Sequence, residues 1–240
     1  MTARRNVWMR PERPARGPRP SFSRAQLTEA AIRIADAEGL EAITMRRVAA
    51  EIGAGTMSLY RYIDGKDDLI DLMVDAVADE FVPDDLAITG DWRANLRAMA
   101  EQMRAAMLRH PWLAPLTPGR QNSGPNRIRA TERTLRMLDG LGLGMDRMLA
   151  IIGTVVAYVS GFVQSEIAEA EALRRTGVDF AEWTAMQAPY LMSVIQSGEY
   201  PLFTRMLTEA GKELTGSDER FAFGLDCLLD GIARTLPDDD

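Results

Sequence analysis

From Ser23 to the C-terminus, no stretch of this chain sustains an alternation of apolar and polar residues; its apolar side chains recur every three or four positions. That period belongs to helices packed along one stripe, and a strand cannot use it. The segments also carry helix punctuation. Ser23-Arg-Ala-Gln26 is a capping box, in which Ser23 and Gln26 satisfy each other's orphan amides, and Leu27, Ala30, Ala31, Ile34 and Ala35 follow on one face until Gly39 can close the helix. Thr44 caps a second, short segment with Val48, Ala49 and Ile52 inward and Gly53 as its stop. A third opens near Thr56 and ends by Ile63, and a longer one runs from Lys66 to about Phe81, ahead of Pro83. The spacing then predicts helices from Asp91 to His110, Asn126 to Leu141, Asp146 to about Arg174, Asp179 to about Ser197 and Leu202 to Ala210. A last one is capped by Ser217 and carries Phe221, Leu225, Leu228, Leu229 and Ile232. The fold class is all-α.

Within this pattern, residues 44–66 (TMRRVAAEIGAGTMSLYRYIDGK) stand apart. Two short helices joined by a tight glycine turn are the helix-turn-helix arrangement, in which the first helix braces the second against a DNA major groove. Val48, Ala49, Ile52, Leu59 and Ile63 read as the inner faces, leaving Thr56, Met57, Ser58, Tyr60, Arg61 and Tyr62 outward. Arg61 can read guanine, Met57 can touch a thymine methyl, and the hydroxyls can donate to phosphates. Lys66 opens the next helix, where free amides already favour a phosphate. An αα-hairpin with a polar outer face would share this periodicity.

Charge is placed unevenly. Residues 1–24 hold seven arginines against Glu12, a net of +6, in a chain of net −7. Pro11, Pro14, Pro18 and Pro20 oppose regular structure there, so residues 1–22 are expected to be a disordered basic arm for a polyanionic partner, or a solubilising tail. The lone Cys227 has no disulfide partner within the chain, which suits a reducing cytoplasm, and the arginine-rich start is no secretory signal. The uncharged run of 17 residues from Leu149 to Ser165 contains Gly153, Thr154, Ser160 and Gln164, and reads as a helix buried on most sides rather than a membrane span. No nucleophile elbow, phosphate-cradling glycine loop or CxxC is present, and His110 beside Pro111 is a poor general base, so an enzyme is not expected.

Gly53 followed by Leu59-Tyr60, then Tyr62, Ile63 and Lys66, preceded by Ala31, Ala35, Gly39, Thr44, Met45, Val48 and Ala49, resembles the DNA-binding domain of the TetR family of bacterial transcriptional repressors. The resemblance covers about residues 24–72. It implies a three-helix DNA-binding head at 23–68 and a larger helical body at 69–240 that dimerises and holds an effector. By the same resemblance the DNA contacts are Thr44 and Arg46, then Thr56, Met57, Ser58, Tyr60, Arg61 and Tyr62, then Lys66, with Tyr60 and Lys66 on phosphates and Met57 and Arg61 bearing sequence choice. Asp91-Trp92 and Leu108-Arg-His-Pro-Trp-Leu113 are similar to the tetracycline-repressor branch. That branch recognises drug and magnesium with several histidines, whereas His110 is the single histidine here, so tetracycline–magnesium is rejected as ligand. One His and one Cys build no metal site, and no cofactor is expected.

In the body, Met99, Met103, Met107, Trp112, Tyr158 and Phe162 are the candidate pocket walls, with Tyr158, Gln164 and Arg104 to orient a largely apolar ligand. A methionine stripe at helical spacing also serves as plain core. One short recognition helix reads too few base pairs, so a homodimer on a palindromic operator is expected. Gly153, Ala157, Ser160 and Gly161 allow close helix approach at its interface, with Leu225, Leu228, Leu229 and Ile232 as a second seam. The mechanism implied is linkage, in which ligand in the body lowers operator affinity; a constitutive regulator or an activator is the alternative reading.

Overall fold

The computed structural model describes residues 6–10, 22–116, 123–178, 180–209 and 216–237, and these contain eleven α-helices and no strand. They are α1 (Arg24–Glu38), α2 (Met45–Glu51), α3 (Thr56–Leu59), α4 (Lys66–Ala78), α5 (Trp92–Arg109), α6 (Pro125–Arg136), α7 (Met145–Thr176), α8 (Phe180–Met186), α9 (Ala188–Ser197), α10 (Pro201–Glu209) and α11 (Ser217–Ala233). The chain divides into two compact units, residues 1–163 with 235–240, and residues 164–234.

In the first unit, the capping box at α1 forms as the sequence predicts: the Gln26 amide donates to Ser23 Oγ and the Ser23 amide to Gln26 Oε1. Gly39 ends the helix at φ +86°, a conformation that favours glycine. Thr44 caps α2 by accepting from the Arg47 amide, and Gly53 turns the chain at φ +65°. α1 packs against α4 and α2, α2 against α3, and α4 against α6. Leu27, Ile43, Leu59, Ile63, Leu69 and Met73 are fully buried and form the common core of these helices. α5 starts at Asp91, whose carboxylate accepts from the amides of Arg93 and Ala94.

The structure departs from the sequence expectations in several places. Residues 6–10 are not an irregular arm. Val7–Met9 form a 3-10 turn whose first amide is capped by Asn6, and Val7 is buried. Phe22, at the arm's other end, is buried, and residues 1–5 and 11–21, with Ala210, lie outside the described residues. α6 ends at Arg136 rather than Leu141, with Gly140 and Gly142 at positive φ behind it.

In the second unit, the helix expected from Asp179 to Ser197 is two. Asp179 lies outside the described residues; α8 stops at Met186, and Pro189, which has no amide to donate, sits in the first turn of α9. Gly216, not Ser217, is the N-cap of α11. Ser217 Oγ donates instead to Glu166, and Arg220 pairs with Glu169 at 3.5 Å, so α11 is fastened to the end of α7. α7 is not buried on most sides as expected: only 33% of its most apolar window is buried within the chain, and among the described residues it is the one helix long and apolar enough to cross a membrane. α9 and α10 bury none of their side chains within the chain, and Met186, Tyr190 and Leu202 are among the exposed apolar residues of this unit.

Candidate nucleic-acid interface

Only four residues of the second helix of the 44–66 pair are α-helical, 56–59. After Leu59 the chain tightens: the Tyr62 amide donates to the Leu59 carbonyl at 2.9 Å, an i to i+3 bond, so the residues expected to extend the helix to Ile63 form a turn. Leu59 and Ile63 are buried beneath this segment, beside Val48 and Ala49 from α2, while Ile52 is only half-buried. That fixed inner side turns Met57 outward at 79% exposed and Tyr60 at 44%. Arg46 and Arg61 are also exposed, and neither has a side-chain hydrogen bond or ion pair among the described residues. Thr44 is exposed with its hydroxyl capping α2, and Thr56 is half-buried.

Three other expected contacts are placed differently. Tyr62 is not an outward residue: its ring lies 4.8 Å from that of Phe22, centroid to centroid, and its hydroxyl donates to the Phe22 carbonyl at 2.8 Å. It is core of the head, because the turn after Leu59 rotates it inward. Ser58 Oγ donates to the Gly55 carbonyl, closing the start of α3. Lys66 Nζ reaches the Leu40 carbonyl at 3.4 Å, a long bond that holds the ammonium at the first turn of α4. Neighbouring Arg47 is committed to structure: hydrogen bonds to Glu38 (2.8 Å) and Glu51 (3.0 Å) raise its pKa above the ordinary arginine value, Glu38 contributing most.

The head is tied to the following helices at two polar junctions that sequence periodicity does not reveal. At the first, Asp36 Oδ1 on α1 receives the Trp112 indole N–H at 2.7 Å and lies 2.7 Å from His110 Nδ1. Glu80, just after α4, faces His110 Nε2 at 3.2 Å and also pairs with Arg109. Both ring nitrogens of His110 thus face carboxylates, and Trp112, expected as a pocket wall, has its polar edge committed to α1. At the second junction, buried Asp75 on α4 accepts from the amides of Asn126 (3.4 Å) and Arg127 (2.9 Å) in the first turn of α6. Burial pushes the Asp75 carboxyl up from its ordinary pKa, opposed by the Arg127 and Asn126 amides. One sequence feature does point to it: Asp68, Leu72 and Asp75 recur at i, i+4 and i+7, which puts carboxylates on an apolar stripe.

In the body, Met99, Met103 and Met107 are buried along α5, and the Arg104 guanidinium lies 5.7 Å from the Phe162 ring centroid, with Tyr158 a further 6.0 Å from Phe162. α5 and α7 are therefore neighbours where the pocket walls were expected. Of the expected dimer residues, Gly153, Ala157 and Gly161 lie exposed on one stripe of α7. Ser160 is not part of that stripe: it is buried, and its hydroxyl has no partner among the described residues. Leu225, Leu229 and Ile232 are likewise buried within the chain, because they occupy the inward stripe of α11; Leu228 is half-buried and Phe223 exposed.

The family model described as bacterial regulatory proteins, tetR family, matches residues 27–73, and that described as the tetracyclin repressor-like C-terminal domain matches residues 85–236. The HTH-type transcriptional repressor DrrR1 of Streptomyces coeruleorubidus is 42% identical over 228 residues, which cover 94% of this chain and 83% of that protein. Tetracycline repressor protein class G of Vibrio anguillarum is 27% identical over 201 residues, covering 82% and 86%. Among solved structures, the Streptomyces coelicolor TetR family protein ActR in complex with actinorhodin superposes with a TM-score of 0.71 at 26% identity, over 91% of this chain and 98% of that one.

Proposed function

The chain belongs to the TetR family of transcriptional repressors, DNA-binding regulators and not enzymes, and on that premise we propose that it acts as a cytoplasmic homodimer that holds a palindromic operator and releases it when a small, largely apolar molecule binds the body. The observation that carries the DNA reading is the recognition segment itself. Its inner side, Leu59 and Ile63, is fully buried, so Met57, Tyr60 and Arg61 are presented on a rigid base rather than a loose loop. Arg61 and Met57 face base edges, Tyr60, Thr44 and Arg46 grip phosphates, and Lys66 exchanges the Leu40 carbonyl for a phosphate at the start of α4.

Homodimerisation follows from the need for two half-sites about one helical turn apart. The Gly153, Ala157 and Gly161 stripe on α7 is the surface assigned to the partner subunit, since small exposed side chains let two helices approach closely. For the ligand, the neighbourhood of Met99, Met103, Tyr158 and Phe162 supplies adaptable and aromatic walls. His110 is taken up by Asp36 and Glu80, so the ligand is not a metal chelate held by imidazole. ActR binds actinorhodin in its complex, which makes actinorhodin the first compound to screen here. Ligand control works through differential affinity: a molecule that favours one arrangement of body and α4 lowers operator affinity by that preference and no more. Arg10 and Arg24 are engaged within the head; the other arginines of the arm lie outside the described residues.

The test is selection of bound duplexes from a random pool, followed by affinity measurements with the double variant Arg61→Ala, Tyr60→Ala. Loss of a base-reading guanidinium costs ~1–3 kcal/mol per site, so affinity for the selected palindrome falls about thirtyfold or more over two half-sites. An unchanged affinity refutes the assignment of this surface.

A further inference from the structure

The segment ahead of α1 reads from sequence as a disordered basic arm for a polyanionic partner or a solubilising tail, yet its described part folds back across α4. We propose that residues 6–10 are an intramolecular brace that links the turn behind the recognition segment to the N-terminus of α6, and so forms part of the route by which the body controls the head. This rests on the ligand-controlled repressor reading above.

The brace holds its own shape. Asn6 Oδ1 accepts from the Trp8 amide at 2.9 Å, the Met9 amide donates to the Asn6 carbonyl, and Val7 is 2% exposed against α4. Its C-terminal end is tied to the head. Arg10 pairs with Asp64 in the turn that leads into α4, and Arg24 Nη2 reaches the Arg10 carbonyl and the Tyr62 carbonyl, each at 3.3 Å. One guanidinium therefore stitches the brace to the residue that ends the recognition turn.

The other side of the brace meets the second polar junction. Gly124 is the N-cap of α6, and a Cβ there would overlap both the Asp75 carboxylate and the Trp8 ring. An indole from the brace, a buried carboxylate from α4 and the first amides of α6 thus share a space that admits no side chain at residue 124. α6 cannot shift along α4 without displacing Trp8, and Trp8 is two residues from the tie at Arg10. A dense contact of this kind transmits a displacement instead of absorbing it.

Hydrogen exchange across residues 125–130 reads the brace without any effector. Arg10→Ala removes the ties to Asp64 and to Asp68 at the start of α4, and Val7→Asp expels the brace with no residue of α4 or α6 substituted. Both variants should speed exchange of the Asn126 and Arg127 amides about fivefold or more, because their acceptor Asp75 loses the indole that shields it. In wild type, binding of the selected duplex should slow exchange at the same amides, by reciprocity, and in Arg10→Ala it should slow exchange in the head alone. Wild-type exchange at 125–130 in Arg10→Ala overturns the proposal, even if Val7→Asp fails to fold. A wild-type protein that selects no duplex overturns the operator reading instead, and leaves the DNA-free comparison to decide the brace.

Discussion

Tyr62→Phe separates a core tyrosine from a DNA-contacting one. The substitution keeps the ring, and with it the pairing against Phe22, while deleting one hydroxyl. That hydroxyl donates to the Phe22 carbonyl at 2.8 Å, with Tyr62 only 6% and Phe22 7% exposed, so water cannot readily replace it. Losing the bond and leaving a buried acceptor unsatisfied costs ~1–3 kcal/mol. For a chain of this size each kcal/mol lowers Tm by about 2–4 °C, so the expected fall is about 2–12 °C. Tyr60→Phe is the control. Tyr60 is 44% exposed, so its loss should leave Tm unchanged while weakening DNA binding by ~0.5–1.5 kcal/mol per hydroxyl, about 2–12-fold. Thermal unfolding and fluorescence anisotropy on a selected duplex at 25 °C read the two effects. If Tyr62→Phe kept its Tm and lost affinity as Tyr60→Phe does, the inward placement of Tyr62 would be wrong.

Two further outcomes follow from local geometry. Gly53→Ala meets no atom within 4 Å, so its cost is conformational alone: holding alanine at φ +65° destabilises by ~1–2 kcal/mol, measured as a shift in denaturant midpoint at constant m. Asp75→Ala strips the acceptor from two α6 amides and should lower stability at neutral pH by ~1–3 kcal/mol, whereas Asp75→Asn keeps an acceptor oxygen, removes the buried charge and should be close to neutral. Because burial raises the Asp75 carboxyl above its ordinary pKa, the folded state binds that proton more tightly than the unfolded chain. Its contribution is fully present below the unfolded value and is lost as pH rises through the folded one, so wild type should gain stability relative to Asp75→Asn on acidification. A difference in Tm between the two that does not change with pH would contradict this.

What could be read from the sequence was local, and the reason is physical. Capping and stop positions such as Ser23, Gly39, Thr44 and Asp91 act within four residues of themselves, so their residue types announce the helix ends that the structure then shows. The recognition segment was legible in the same way through Leu59 and Ile63, but its length was not. A 3.6-residue period continued past Leu59 puts Tyr62 outside; the change from helix to turn after four residues puts it inside, and only Phe22, forty residues earlier, reveals why. The same limit applies to the residues of α11 expected at a dimer interface. Leu225, Leu228, Leu229 and Ile232 form one apolar set in sequence, and periodicity cannot say which of them the chain covers by itself.

The polar junctions were harder still, since each joins residues more than fifty positions apart: Asp36 with His110 and Trp112, Asp75 with Asn126 and Arg127. They are also the directional contacts among α1, α4 and the helices that follow. A helical body buried only through apolar contacts could slide against α4 in many small steps, because such contacts are not directional. A carboxylate accepting two helix amides, or one shared by an indole and an imidazole, has a single good geometry and is costly to half-break. Placing such groups between α1, α4 and the body therefore makes the connection resist intermediate positions. That is the property a repressor needs if occupancy of the body is to change the head by a discrete movement.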